Sequence, residues 1–217
     1  MALADWEIIK GGGLSLTTRV AYSGSKSLAG SADYPQTHIV HTATYNDAPK
    51  NAYIDTFVCT PINDAGAVYY PIVGAVFRKQ PNVKTYYYIY IEIELDNEGY
   101  IYNVYAYLRK VVYGDETLIK SATITDNFTE TIPRIHNLAW FMSRFEMIEG
   151  GDSLTFNVYI TPENPSDPEN QLNIIWRVTE NPISIKEGGA IGLVVGGSYD
   201  AWGNAIETYY DLTKIYY

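Results

Sequence analysis

With 217 residues, 47% of them hydrophobic, the chain is long enough to bury one sizeable core, and a single domain over 1–217 is expected. Its 25 acids against 15 bases leave a formal charge of −10, which repels a phosphate backbone at long range and argues against nucleic acid as a partner. No apolar run approaches the roughly 18 residues of a membrane-spanning helix, and the one cysteine, Cys59, forms no internal disulfide and reads as a buried thiol in a strand.

The opening residues Met1-Ala2-Leu3-Ala4-Asp5-Trp6 carry neither a basic nor an apolar stretch, so no secretory signal is expected. Turn signals then divide the chain into about twelve predicted strands, at the spacing of an antiparallel sandwich. They are Leu14 to Tyr22, Thr37 to Tyr45, Tyr53 to Cys59, Ala67 to Phe77, Lys84 to Leu95, Tyr100 to Val112, Thr117 to Thr125, Leu138 to Ile148, Leu154 to Ile160, Leu172 to Val178, Ala190 to Val195 and Ile206 to Ile215. His38 and His41, three apart in a strand, point to opposite faces and do not share a metal. Pro162, Pro165 and Pro168 make the stretch after Ile160 an exposed loop.

The most informative segment runs from Tyr86 to Arg109. Tyr87, Ile89, Ile91, Ile93 and Leu95 alternate with Tyr86, Tyr88, Tyr90, Glu92 and Glu94, which is the period-2 signal of a strand with one face in the core. After the turn Asp96-Asn97-Glu98-Gly99, Tyr102, Val104, Ala106 and Leu108 alternate with Asn103, Tyr105, Tyr107 and Arg109. Pairing Leu95 with Tyr100 sets Ile91 opposite Val104, Tyr90 opposite Tyr105 and Tyr88 opposite Tyr107. The predicted outward face is then a cluster of tyrosines flanked by acids, an amide and a guanidinium. The 21 tyrosines against six phenylalanines suit either wide two-sided sheets or a recognition surface. A second hairpin alternates Phe141, Ser143, Phe145 and Met147 with Trp140, Met142, Arg144 and Glu146. It turns at Glu149-Gly150-Gly151-Asp152 and pairs Met147 with Leu154 and Phe145 with Phe156.

The run Trp140-Phe141-Met142-Ser143-Arg144-Phe145-Glu146-Met147-Ile148-Glu149-Gly150, followed by Leu154-Thr155-Phe156-Asn157-Val158-Tyr159, resembles a hairpin of concanavalin A-like lectin and glucanase domains, the group that includes laminin-G modules. Gly188-Gly189-Ala190-Ile191-Gly192-Leu193 and Tyr210-Asp211-Leu212-Thr213-Lys214-Ile215-Tyr216 look like two further strands of that superfamily. At the front, Val20-Ala21-Tyr22-Ser23-Gly24-Ser25-Lys26-Ser27-Leu28 is similar to the start of many carbohydrate-binding modules. The clear matches cover about the C-terminal third. The resemblance implies a jelly roll of two antiparallel sheets, one concave, with glycans held in the curve or at its rim. The proline-rich loop departs from the short turn of the pattern, and the chain carries no traceable lectin metal motif.

Glu92, Glu94 and Asp96 place three acids about 6.5 to 7 Å apart along one strand face. They resemble the acid triplet of the superfamily's glycoside hydrolases, with Asp and Glu exchanged at the second and third acids. The triplet runs straight into a turn, whereas a catalytic cleft needs its acids mid-sheet, so solvated acids finishing a strand are the preferred reading and no catalytic residue is assigned. No cofactor is expected. Calcium has two candidate oxygen clusters, Asp96-Asn97-Glu98 and Asp200 with Asn204, both equally explained as turn formers. Trp202, in a glycine-rich loop, is the tryptophan best placed for sugar stacking, whereas Trp140 and Trp176 read as packing residues.

The expected function is non-catalytic glycan binding or adhesion at a virion, phage-fibre or extracellular surface. Tyr88, Tyr90, Tyr105, Tyr107 and Trp202 would stack, and Glu92, Asn103 and Arg109 would make polar contacts. The alternatives are a capsid or appendage subunit that uses the tyrosine face against neighbouring subunits or itself, and a glycoside hydrolase using Glu92, Glu94 and Asp96.

Overall fold

The computed structural model describes residues 5–12, 14–17, 27–30, 36–62, 70–162, 172–196, 198–199 and 205–217. They form sixteen strands and two short helices. In order these are β1 (Trp6–Lys10), β2 (Leu14–Thr17), β3 (Ser27–Gly30), β4 (Thr37–His41), α1 (Thr44–Asp47), β5 (Ala52–Cys59), β6 (Ile72–Lys79), β7 (Tyr86–Leu95), β8 (Ile101–Val112) and β9 (Asp115–Thr123). There follow α2 (Thr125–Thr129), β10 (Trp140–Gly150), β11 (Ser153–Pro162), β12 (Asn173–Glu180), β13 (Ala190–Gly196), β14 (Ser198–Tyr199), β15 (Ala205–Ile206) and β16 (Thr208–Tyr216). No described helix is long and apolar enough to cross a membrane.

Two seven-stranded antiparallel sheets face each other, the front in the order β1-β4-β13-β6-β7-β8-β9 and the back in the order β12-β11-β10-β5-β16-β3-β2. The all-β sandwich expected from the sequence is therefore present. Between the sheets lie Ile89, Ile91, Ile93, Val104, Ala106 and Leu108 of the front hairpin, all at 0% exposure, against Phe145, Met147, Phe156 and Val158 of the back sheet. Burying such aliphatic and aromatic side chains at about 25 cal/mol per Å² is what drives the two sheets together. Trp140 and Trp176 are buried, as packing residues should be, and so is the free thiol of Cys59. The strand β1 had no counterpart in the sequence reading, and α1 occupies the end of the segment predicted as strand to Tyr45.

Both hairpins differ from the expected register by two residues, an even shift that leaves the paired side chains on their predicted faces, Tyr102 excepted: expected on the core face, it stands exposed. In the front hairpin, Ile93 pairs with Val104, Tyr90 with Tyr107 and Glu92 with Tyr105. Asp96 N–H donates to the Tyr100 carbonyl at 3.0 Å, so the loop is Asn97-Glu98-Gly99. Gly99 sits at φ +83°, the left-handed residue such a three-residue loop requires. A bulge between Glu94–Asn103 and Leu95–Ile101 then adds the second residue, Tyr102. In the back hairpin, Gly150 pairs with Ser153 and Met147 with Phe156, because the turn sits on Gly151-Asp152, one position later than expected, with Gly151 at φ +63°.

The front sheet is strongly curled. Laid flat, six inter-strand gaps of about 4.8 Å would hold β1 and β9 nearly 30 Å apart. Lys10 Nζ on β1 nevertheless lies 2.8 Å from Glu116 Oε2 on β9. The outer face of this sheet is therefore concave, with its two edges tied together across it.

Candidate binding site on the concave face

The side chains of β7 and β8 that point away from the core line this hollow. Cross-strand neighbours are Tyr88 with Arg109, Tyr90 with Tyr107, Glu92 with Tyr105 and Glu94 with Asn103. Three of the tyrosines form a stack, Tyr88 to Tyr90 at 5.8 Å and 12° between planes and Tyr90 to Tyr107 at 4.8 Å and 19°. Tyr86 lies 6.0 Å from Tyr88 at 45°. His38, from β4, packs 4.5 Å from the Tyr88 ring, with its Nδ1 3.2 Å from the Tyr86 hydroxyl. Burial, and then the positive charge of Lys10, drive the His38 pKa down to about 3, with Glu116 a weaker opposing influence.

The ionic tie divides the hollow into a sealed end and an open one. Lys10 Nζ stands 5.4 Å over the Tyr88 ring, and Arg109 donates to Glu116 at 2.9 Å. Burial alone would raise the Glu116 pKa. The hydrogen bond from Lys10, the nearby Tyr88 hydroxyl and the charges of Lys10 and Arg109 outweigh it and hold the carboxyl at about 2. Under this cover Tyr88 is 0% and Tyr90 5% exposed. The expectation that these two rings present a stacking surface is corrected: the curl of the sheet makes them a floor that no ligand reaches. Arg109, expected to contact ligand, spends its charge on Glu116.

At the open end Tyr105, Tyr107, Glu92, Glu94 and Asn103 are half-buried and remain reachable. Asn103 donates to Glu94 at 2.8 Å, and the Tyr70 hydroxyl lies 3.4 Å from the same carboxylate. Burial, with the neighbouring charge of Glu94, pushes the Glu92 pKa upward. Burial likewise raises that of Tyr107. The third acid of the triplet does not join them. Asp96 turns back on its own loop, where its Oδ1 accepts the N–H of Glu98 at 2.8 Å and of Tyr100 at 2.9 Å. Trp202, Asp200 and Asn204 lie outside the described residues.

Lys10, Glu116 and His38 are the participants that the sequence reading missed. Lys10 and Glu116 are 106 positions apart, so no local pattern announces the pair, and the strand spacing of His38 and His41 argues only against a shared metal. One glycine shapes the floor. Gly74 pairs with Tyr90 across β6 and β7, and a Cβ there would stand 2.5 Å from the Tyr90 Cβ. Gly74→Ala should therefore cost roughly 1–3 kcal/mol in urea unfolding, the usual penalty for overfilling a packed site.

A glycoside hydrolase family 16 endo-glucanase from Bacteroides ovatus, solved in complex with G4G3G-2F-DNP, matches 100% of this chain and 96% of its own length at 11% identity and a TM-score of 0.50. The fold is the concanavalin A-like jelly roll. The metal-free carbohydrate recognition domain of Emp46p matches 99% of the chain and 88% of its own at 9% identity and a TM-score of 0.45. The binding domain of botulinum neurotoxin DC, solved with SialylT, matches 97% of the chain at 13% identity and a TM-score of 0.44. The chain spans 42% of that neurotoxin domain. No family profile and no curated protein matches the sequence. At these identities the likeness establishes the fold alone.

Proposed function

We propose that the protein binds a neutral glycan, without cleaving it, at the open end of the concave face. The observation that carries this reading is the grouping of two reachable rings, Tyr105 and Tyr107, with the hydrogen-bonding groups of Glu92, Glu94 and Asn103 in one hollow. Rings stack on the apolar faces of sugars and the carboxylates accept from hydroxyls. Two carboxylates at the site, within a chain of formal charge −10, disfavour acidic sugars.

Hydrolysis is the second reading, because Glu92 has a raised pKa beside a second carboxylate, as a general acid would. Against it stands Asp96, whose carboxylate is committed to its own turn. Self-assembly through the whole tyrosine face has less to offer, since Tyr86, Tyr88 and Tyr90 are already covered by the chain itself.

Titration calorimetry against neutral polysaccharides tests the proposal. The double variant Tyr105→Ala, Tyr107→Ala should bind at least about tenfold more weakly than the parent, with the unfolding midpoint lowered by loss of the Tyr90–Tyr107 stack while the protein stays folded; Tyr105→Ala alone should weaken binding with little change in midpoint. A folded parent protein that binds no member of a neutral-glycan array would sink it. New reducing ends released from a bound polysaccharide would favour the hydrolase reading instead.

A further inference from the structure

Beside the open end lies a second hollow that the concave-face reading does not use. It is a cavity of about 400 Å³ where β9 leaves the sheet and α2 crosses below β8, lined by Tyr102, Asn103, Thr123, Asp126 and Asn127 among others. Its one ring, Tyr102, is the residue that the β7–β8 bulge inserts. By simple alternation Tyr102 belongs to the core face, next in line after Val104. The bulge re-aims it, and the ring stands 56% exposed. An aromatic ring turned out of a core gives up burial energy, and here it forms one wall of a polar cavity. The remaining walls offer hydrogen-bonding groups with capacity to spare. The Asp126 carboxylate has no partner among the described residues. Asn127 donates to the Ile175 carbonyl at 3.0 Å, and Asn103 donates to Glu94 at 2.8 Å, which leaves each amide oxygen free to accept.

Asn103 belongs to both places: it faces Glu94 at the open end of the concave site and lines the cavity. Along β8, Tyr102 lies about 10 Å from Tyr105, farther than one sugar ring spans.

We propose that this cavity is a second subsite continuous with the concave site, so that the ligand is a neutral oligosaccharide or polysaccharide chain and not a single sugar. Tyr102 supplies the stacking platform, and Asp126, Asn127 and Asn103 accept hydroxyl hydrogens. The proposal rests on the glycan-binding reading above and adds chain length and direction to it.

The test titrates a disaccharide and a hexasaccharide of the same neutral β-glucan into the parent protein, Tyr102→Ala and Asp126→Ala, while amide NMR shifts of Tyr102 and Asn127 are followed. The parent should bind the hexasaccharide at least about tenfold more tightly than the disaccharide. Both variants should lose that gain while keeping disaccharide affinity, and the two amides should shift only with the longer ligand. Equal affinity for both lengths in the parent, or a Tyr102→Ala variant that retains the gain, overturns the second subsite and leaves the concave site standing. Failure of the parent to bind either ligand overturns both. Tyr102 and Asp126 are exposed, so both variants should fold, and an unchanged thermal midpoint verifies it.

Discussion

Replacing Arg78 with methionine is expected to lower the stability of the protein by about 3–5 kcal/mol, the usual consequence of removing one partner from a buried charged network. Arg78 sits on β6 with its side chain 0% exposed. Its guanidinium donates to the Ile185 carbonyl at 2.7 Å, to the Lys50 carbonyl at 3.1 Å and to the Glu149 carboxylate. One side chain thus joins the front sheet to the loop before β5, the end of β10 and the segment before β13. Methionine fills much of the volume but donates nothing, so the carbonyls of Ile185, Lys50 and, at 3.5 Å, Lys186 lose the guanidinium together with the Glu149 carboxylate. Urea unfolding should show a lower midpoint with an unchanged slope. Glu149→Gln should cost far less, because Glu149 is 24% exposed and the guanidinium keeps its carbonyl bonds. A loss below about 1 kcal/mol for Arg78→Met would show that the network is not what holds these segments.

Acid should destabilise the protein well before its carboxylates titrate. His38 has a folded pKa of about 3 against an ordinary value of 6.5, through burial first and the charge of Lys10 second. Between these values the unfolded chain binds a proton that the folded chain refuses. Stability contributed by the neutral ring is therefore fully present above pH 6.5 and is lost as pH falls toward 3, at up to about 1.4 kcal/mol per pH unit. The groups that face His38 are Lys10 from β1, Tyr86 and Tyr88 from β7, and Glu116 from β9. Of these only Glu116 titrates in acid. Its pKa of about 2 against an ordinary 4.5 adds a further loss below pH 4.5, so the interval from 6.5 to 4.5 reports on His38 alone among these neighbours. His38→Gln retains a partner for the Tyr86 hydroxyl and removes the titration. Thermal midpoints of the two proteins should diverge at neutral pH and converge toward pH 4.5. Parallel pH profiles would mean that the imidazole is hydrated and ordinary.

The sequence by itself determined the pairing of faces. Tyr87, Ile89, Ile91, Ile93 and Leu95, with Val104, Ala106 and Leu108, point inward as their alternation requires, because successive strand residues leave opposite sides of the backbone whatever surrounds them. Glycine and aspartate marked both hairpin loops, and a two-residue error in register left the face assignment of the paired residues intact because the strand period is two. The bulge that turns Tyr102 outward was not legible, since Tyr102 continues the apolar alternation and only the pairing of β7 with β8 displaces it. What the tertiary structure alone decided is which outward residues meet solvent. Tyr88 and Tyr105 look alike in sequence, each outward on its strand, yet the first is sealed and the second reachable. The difference comes from the curl of seven strands, which brings Lys10 onto Glu116 across 106 positions of chain. Curvature accumulates from twist over a whole sheet and is not encoded in any one strand.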